Sequence, residues 1–204
     1  MAALIIDRDL EAELIAERRR TGADRHDEVW DGVYVMSPLA NNEHQRLVTR
    51  LAYVLADVIE PDGTGSVFAG VNVSDRQDEW MRNYRCPDVA VFLAGTSAED
   101  RDTHWFGGPD FAVEVVSEGD RSRDTLDFYA KVGTRELLIV DRDPWALELY
   151  RLDDGVLKSA GRSTVAAAAV LESEVVPLTF RLVAGDSRPR IEIAHAAGDG
   201  RWTV

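Results

Sequence analysis

Two carboxylates, Asp88 and Glu114, interrupt segments of the chain that are otherwise apolar. Asp88 opens the segment CPDVAVFL, and Glu114 stands in the middle of FAVEVVS. Buried strands are normally runs of Val, Ile and Leu, because an unpaired carboxylate in an apolar setting is costly. Both charges are therefore expected to be held by a cation, and a shared divalent metal ion is the simplest candidate.

Paired carboxylates that hold Mg²⁺ or Mn²⁺ are suited to phosphodiester cleavage. The ion can neutralise charge on the scissile phosphate and lower the pKa of a bound water. Since side chains alternate along a strand, Glu114 should lie on the face opposite Val113 and Val115, and the backbone carbonyl of Val115 could add an oxygen ligand. Antiparallel neighbouring strands, joined by a long loop, would bring Asp88 and Glu114 to one ion.

Each carboxylate also has a plainer interpretation when it is taken alone. Asp88 follows a proline and could simply begin a strand at a turn, and Glu114 could face solvent from an edge strand. The other histidines, His26, His104 and His195, are predicted to lie on the surface.

The elements that must position these residues can be read from hydrophobic periodicity and turn signals. Apolar positions at helical spacing predict helices, and alternating or continuous apolar runs predict strands. An Asp31-Gly32 turn predicts a hairpin. The predicted helices cover 7–20, 43–59 and 122–133, and the predicted strands cover 28–30, 33–36, 66–74, 88–93, 111–117, 135–141, 146–152, 156–160, 175–182 and 191–194, with a loop at 95–110.

Composition sets limits on the class of protein. The 204 residues, 45% hydrophobic and 29% charged, suit one domain spanning 1–204. No apolar run reaches the about 18 residues that would span a bilayer, and the single cysteine, Cys86, excludes an internal disulfide, so a cytoplasmic location is expected. The net charge of −14 argues against strong sequence-independent binding to nucleic acid, but it leaves room for a local basic groove. Two lysines against many arginines and alanines suggest a bacterial source.

The order of these motifs resembles the Uma2 family of endonucleases, also called DUF820, in the PD-(D/E)xK nuclease superfamily. The resemblance covers roughly residues 25–155. It rests on the following motifs in family order: GVYVMSP followed by His44, then Pro87-Asp88-Val89, Glu114-Val115-Val116-Ser117, Tyr129, Gly133 and RELLIVDRDPWALELYRL.

This resemblance implies a restriction-endonuclease-like α/β (α+β) fold with a mixed, mostly antiparallel sheet flanked by helices. Residues 1–24 would form a helical extension, 25–155 the family core and 156–204 the C-terminal strands. The implied activity is Mg²⁺- or Mn²⁺-dependent cleavage of nucleic acid, with DNA as the expected partner. Asp88, Glu114 and the Val115 carbonyl would bind the metal, and Glu28 and His44 match family positions that would assist.

The chain departs from the superfamily at its catalytic lysine. Val116 occupies one of the two usual lysine positions, and Thr125, four residues before Tyr129, occupies the other. Lys131 would point to a different helix face, while Arg121 or Arg123 could reach the groove and hold phosphate. The alternative function is therefore a nuclease fold that has lost catalysis and acts as a binding or regulatory module. A homodimer is expected in either case.

Overall fold

A computed structural model describes residues 8–116, 121–198 and 200–204. Within these ranges the helices are α1 (Arg8–Thr21), α2 (Asn42–Ile59) and α3 (Leu126–Lys131), and 3₁₀ turns cover Trp80–Arg82 and Ser122–Thr125. The strands are β1 (Glu28–Trp30), β2 (Val33–Val35), β3 (Gly65–Ala69), β4 (Val73–Ser74), β5 (Tyr84–Arg85), β6 (Val89–Leu93), β7 (Glu99–Asp100), β8 (Trp105–Phe106), β9 (Phe111–Val116), β10 (Glu136–Arg142), β11 (Trp145–Asp153), β12 (Val156–Ser163), β13 (Leu171–Glu172), β14 (Leu178–Val183), β15 (Arg190–His195) and β16 (Arg201–Thr203).

The central sheet carries the two segments that contain the predicted metal ligands. Its strand order is β12-β11-β10-β9-β6-β3. Only β9 and β10 pair in parallel within this sheet, and every other neighbouring pair is antiparallel. The predicted mixed, mostly antiparallel α+β fold is therefore confirmed.

Alternation along the central strands divides the core into two layers. Phe111, Val113 and Val115 of β9 face a cluster that includes the apolar side of α2, where Leu47 and Leu51 are fully buried. The alternate residues of β9 face a second cluster that includes Phe128 and Tyr129 of α3. Burying each large apolar side chain contributes about 1.5–3 kcal/mol, so these two layers hold the helices on opposite faces of the sheet.

Two smaller sheets surround the central one. The first has the order β2-β1-β5-β4-β8-β7, and the second has the order β13-β14-β15-β16 and packs into the same cluster as α2. In the hairpin of β1 and β2, Asp31 and Gly32 have φ angles of 49° and 87°. Positive φ at both central residues matches the right-handed twist of a hairpin, and the predicted Asp-Gly turn is confirmed.

The strand predicted over 66–74 is instead two strands in different sheets. Gly70, at φ 66°, breaks it between β3 and β4. A side chain at Gly70 would lie 2.9 Å from the His26 ring, so the chain turns where only glycine fits. The predicted loop 95–110 contains the short strands β7 and β8, and the short strands β5, β13 and β16 were missed. Asp7 and Ser117, the ends of a predicted helix and a predicted strand, lie outside the described residues.

Candidate active site

Asp88 and Glu114 are brought together by the pairing of β6 with β9. These strands are antiparallel, with Val89 opposite Val113 and Val91 opposite Phe111. Continuing this register by one residue puts Asp88 opposite Glu114. The prediction of antiparallel neighbours joined by a long connection is confirmed, although β6 begins at Val89, so Asp88 stands just before the strand.

The Asp88 carboxylate is held by two donors. Its Oδ2 accepts a 2.8 Å hydrogen bond from the backbone N–H of Val115 and a 3.1 Å hydrogen bond from Nε2 of His44. Both side chains are more than four-fifths buried. Because a carboxylate accepts only, the His44 proton is placed on Nε2, and the buried Nδ1 has no partner among the described residues. This arrangement fixes Asp88 on the backbone of the strand that carries Glu114.

The Glu114 carboxylate is oriented from the α3 side of the sheet. It is 9% exposed, and its Oε1 accepts a 2.5 Å hydrogen bond from the hydroxyl of Tyr129. Burial, and then the charges of Glu114 and Glu28, raise the pKa of Tyr129 well above its ordinary value. The phenol therefore stays protonated near neutral pH and acts as a permanent donor to Glu114.

Glu28 of β1 brings a third carboxylate into the same region. Its Oε1 accepts from the backbone N–H of Cys86 at 2.8 Å, and its Oε2 accepts from Nε1 of Trp30 at 2.6 Å. Burial, and then the charges of Glu28, Glu114 and Asp88, raise the pKa of the Cys86 thiol. The thiol therefore stays neutral, which makes it a poor nucleophile. All three carboxylates are close enough to act on this single buried group.

One cleft of about 800 Å³ contains every residue that the sequence placed in the site. The cleft is lined by Glu28, His44, Asp88, Glu114, Val115 and Thr125 among others, and three arginines also line it: Arg18, Arg121 and Arg142. Two carboxylates from β1 and β9 and a third directly before β6 thus share this cleft with arginine side chains. Such a space can admit both a cation and an anionic ligand.

The position at which the superfamily has its catalytic lysine holds a neutral side chain, which hydrogen-bonds within its own turn. Thr125 is buried, and its hydroxyl donates to the carbonyl of Ser122 at 2.6 Å. Lys131 is outside the residues that line the cleft and forms an ion pair with Asp75 at 2.5 Å, as expected for a different helix face. Arg123 also lies outside the lining, whereas Arg121 is part of it.

The donor set of the cleft suits a hard divalent cation. Among residues 8–116, 121–198 and 200–204, no three His, Cys, Asp or Glu side chains are grouped so as to hold a metal ion by themselves. Mg²⁺ usually keeps several waters and takes only one or two carboxylates. Asp88, Glu114 and the carbonyl of Val115 offer such a partial oxygen set, so these residues fit Mg²⁺ or Mn²⁺.

Sequence reasoning missed several residues of the cleft. His26 lines it, with Nδ1 3.7 Å from the sulfur of Cys86, and Trp30 and Arg142 line it as well. The alternation of side chains along β1 could have suggested Trp30. Residues two positions apart on a strand share a face, and Trp30 is two positions after Glu28. The prediction that His104 lies on the surface is wrong, since its side chain is buried in a stack on Trp80.

The mixed sheet and its flanking helices define an α+β protein with a nuclease-like fold. A model of the Uma2 family, described as "Putative restriction endonuclease", matches residues 13–184, and the chain belongs to this family. A solved structure described as "a putative nuclease belonging to DUF820", from Anabaena variabilis ATCC 29413, shares the fold. Its TM-score is 0.58 at 16% identity, over 72% of this chain and 80% of that one.

No curated protein matches the chain. None of the helices in the described ranges has the length and apolar character needed to cross a membrane.

Proposed function

We propose that this protein is a metal-dependent nuclease that hydrolyses phosphodiester bonds, with DNA as its substrate. The observation that carries the proposal is the meeting of Asp88 and Glu114, from neighbouring antiparallel segments, in one cleft. Membership of the family described as "Putative restriction endonuclease" supports the same reaction.

The residues of the cleft divide into ligands and the groups that orient them. Asp88, Glu114 and the carbonyl of Val115 would hold Mg²⁺ or Mn²⁺, which supplies charge neutralisation at the phosphate and a more acidic bound water. His44 and the N–H of Val115 keep Asp88 in place, and Tyr129 does the same for Glu114. Outer partners of this kind tune both ligand geometry and metal affinity.

A second candidate is a binding module that keeps the metal site without cleaving DNA. It is favoured by Thr125, whose hydroxyl is already bonded to the Ser122 carbonyl and carries no charge toward the cleft. In the described part of the chain, no lysine lines the cleft. The homodimer expected from the sequence stays a prediction, which the molar mass of the purified protein from light scattering would test.

Cleavage assays separate the two candidates. Plasmid and single-stranded DNA are incubated with wild type, Asp88→Asn and Glu114→Gln, in Mg²⁺, in Mn²⁺ and in EDTA. We expect metal-dependent nicking by wild type and a loss of at least about 100-fold in each variant, because each removes a metal ligand. Asp57→Asn, an exposed carboxylate of α2 outside the cleft, serves as the control and should cleave like wild type.

Two outcomes would contradict the proposed nuclease or its assigned site. Nicking that survives both Asp88→Asn and Glu114→Gln would reject the assigned site. Metal binding by wild type in calorimetry, without cleavage of either DNA, would favour the binding module. In that case, cleavage gained by Thr125→Lys would identify the absent cation as the reason for inactivity.

A further inference from the structure

Arg121 is a half-exposed cation at the edge of the cleft. It precedes the 3₁₀ turn Ser122–Thr125, and its side chain is 45% exposed. Its guanidinium lies over the indole of Trp30, 4.6 Å from the ring centroid, and its Nε donates to Oδ2 of Asp124 at 2.8 Å. An exposed ion pair of this kind contributes at most about 1 kcal/mol. An anion that interacts more strongly with Arg121 would therefore displace Asp124 from its guanidinium.

The other arginines that line the cleft are committed to structural partners. Arg18 donates to both carboxylate oxygens of Asp27 and to a backbone carbonyl. Arg142 has a side chain only 8% exposed and donates to the carbonyl of Val116 and the side chain of Asn41. Moving either guanidinium toward a ligand would leave buried acceptors without donors, which is costly.

Arg123, two residues further along the chain, differs from Arg121 in its partners and in its position. It is as exposed as Arg121, at 43%, but it pairs with Asp141 and with Glu148, and it is outside the cleft lining. Its charge is thus matched by two carboxylates that are themselves mostly buried. The structure therefore distinguishes the roles of Arg121 and Arg123, which the sequence alone did not.

Trp30 gives Arg121 a fixed platform. The indole N–H donates to Glu28, and Glu28 is anchored in turn by the backbone N–H of Cys86. The guanidinium of Arg85 also lies 4.6 Å from the Trp30 ring centroid. An aromatic face attracts a guanidinium and limits its motion at the same time. Glu28 therefore lines the cleft itself and also fixes the indole on which Arg121 lies.

We propose that Arg121 binds the phosphate backbone of nucleic acid in the cleft, and that Trp30 and Glu28 position it. This proposal rests on the proposed function. Asp88, Glu114 and Glu28 would repel a phosphodiester, and a cation at the cleft edge offsets that repulsion. Arginine can donate two parallel hydrogen bonds to phosphate oxygens and stays protonated, so its role is to hold phosphate rather than to activate water.

Anisotropy of a fluorescein-labelled short DNA duplex tests the contact. It is measured in Mg²⁺ on the Glu114→Gln background, so that binding is followed without cleavage. Adding Arg121→Gln is expected to weaken binding about tenfold, the effect of losing one charge-assisted hydrogen-bonding group. It should also lower the slope of log affinity against log salt by about 0.9, the value for one lost phosphate contact. Adding Arg123→Gln should change neither quantity.

The platform is tested by a pair of substitutions at Trp30. Trp30→Leu should weaken DNA binding as Arg121→Gln does, while Trp30→Phe, which keeps a ring face but loses the hydrogen bond to Glu28, should have an intermediate affinity. Mn²⁺ binding by calorimetry, in chains that carry the native Glu114, should be unchanged by the Arg121 substitution. A loss of metal affinity there would mean that Arg121 acts on the metal site, and it would overturn the proposal.

The remaining outcomes separate this proposal from the nuclease activity. Equal losses of DNA affinity in Arg121→Gln and Arg123→Gln would show a general charge effect and overturn the specific contact. Wild type that fails to bind DNA would overturn it as well. Wild type that binds DNA without cleaving it, with the loss confined to Arg121→Gln, would refute the nuclease and leave the phosphate contact standing.

Discussion

At the scale of single residues, the two acids of the cleft are oriented by side chains from other elements, His44 of α2 and Tyr129 of α3. Asp88 and Glu114 were conspicuous because each is a charge in an apolar segment. The hydroxyl of Tyr129 meets Glu114 only because α3 packs on that face of the sheet. Such a contact depends on helix placement, which local sequence does not encode.

Replacing Tyr129 by phenylalanine should loosen the proposed metal site. Glu114 would lose a donor while remaining buried, so Mn²⁺ affinity should fall about tenfold and the free energy of unfolding should fall by about 1–2 kcal/mol. Calorimetry and urea denaturation measure the two effects.

Tyr150→Phe is the matched control for this prediction. Its hydroxyl donates to Glu148 at 3.1 Å, a phenol–carboxylate contact between residues that do not line the cleft. Mn²⁺ affinity should be unaffected in this variant. Wild-type Mn²⁺ affinity in Tyr129→Phe would show that the phenol does not support a metal ligand.

At the scale of elements, periodicity was a good guide wherever one face of a helix or strand is buried. Helix α2, predicted at 43–59 and observed at Asn42–Ile59, shows this, because its buried leucines repeat at helical spacing. The failures occurred where a few residues change direction. Gly70 splits a predicted strand, and the predicted helix at 122–133 begins as a 3₁₀ turn before α3. The position of such a break depends on contacts with neighbouring elements, so the hydrophobic periodicity of the sequence does not reveal it.

The N-terminus of α2 yields a prediction about both stability and the site. The side chain of Asn41 accepts from the backbone N–H of His44 at 2.9 Å and from Arg142 at 3.1 Å. Asn41→Ala should therefore lower the free energy of unfolding by about 1–2 kcal/mol in urea denaturation. The proposed cleavage should fall as well, because His44 holds Asp88. Asn42→Ala, at an exposed position next to the cap, should have little effect, and equal losses in both variants would argue against the cap.

At the scale of the whole molecule, the sequence predicted the class and the central sheet but not how the C-terminal strands dock. Glu136 of β10 shows why. It is fully buried, and its carboxylate accepts from Arg151, from the hydroxyl of Ser173 and from the backbone N–H of Glu174. These contacts tie the central sheet to the segment that leads into β14. In the sequence, Glu136 is simply the first acidic residue of an apolar run.

Four partly or fully buried acidic groups make the whole fold sensitive to alkaline pH. Burial raises the pKa of Cys86 above its ordinary 9.0, raises the pKa of Tyr84 from 10.0 to about 12, and raises the pKa of Tyr34 and Tyr129. A group whose pKa is higher in the folded state stabilises fully below its unfolded pKa, and this contribution is lost as pH rises toward the folded value. Stability should therefore fall from about pH 9 upward.

Cys86→Ala isolates one part of this pH dependence. For Cys86 alone, the expected loss between pH 8 and pH 10 is about 1.4 kcal/mol, since its unfolded thiol ionises in that interval. Urea denaturation at the two pH values should therefore show a smaller decline for Cys86→Ala than for wild type. Identical declines in the two proteins would contradict the raised pKa of Cys86.

The division of the cleft between two sheets has a consequence for how such proteins diversify. Asp88 and Glu114 are set by strand register in the central sheet, whereas Glu28 and Trp30 belong to the β1–β2 hairpin of another sheet. Loops and strands of that outer sheet can be lengthened, shortened or replaced over generations without shifting the paired acids. Changes in the outer sheet can thus alter the lining of the cleft while the paired acids keep their positions, and the solved structure from Anabaena variabilis shows that the fold is shared at 16% identity.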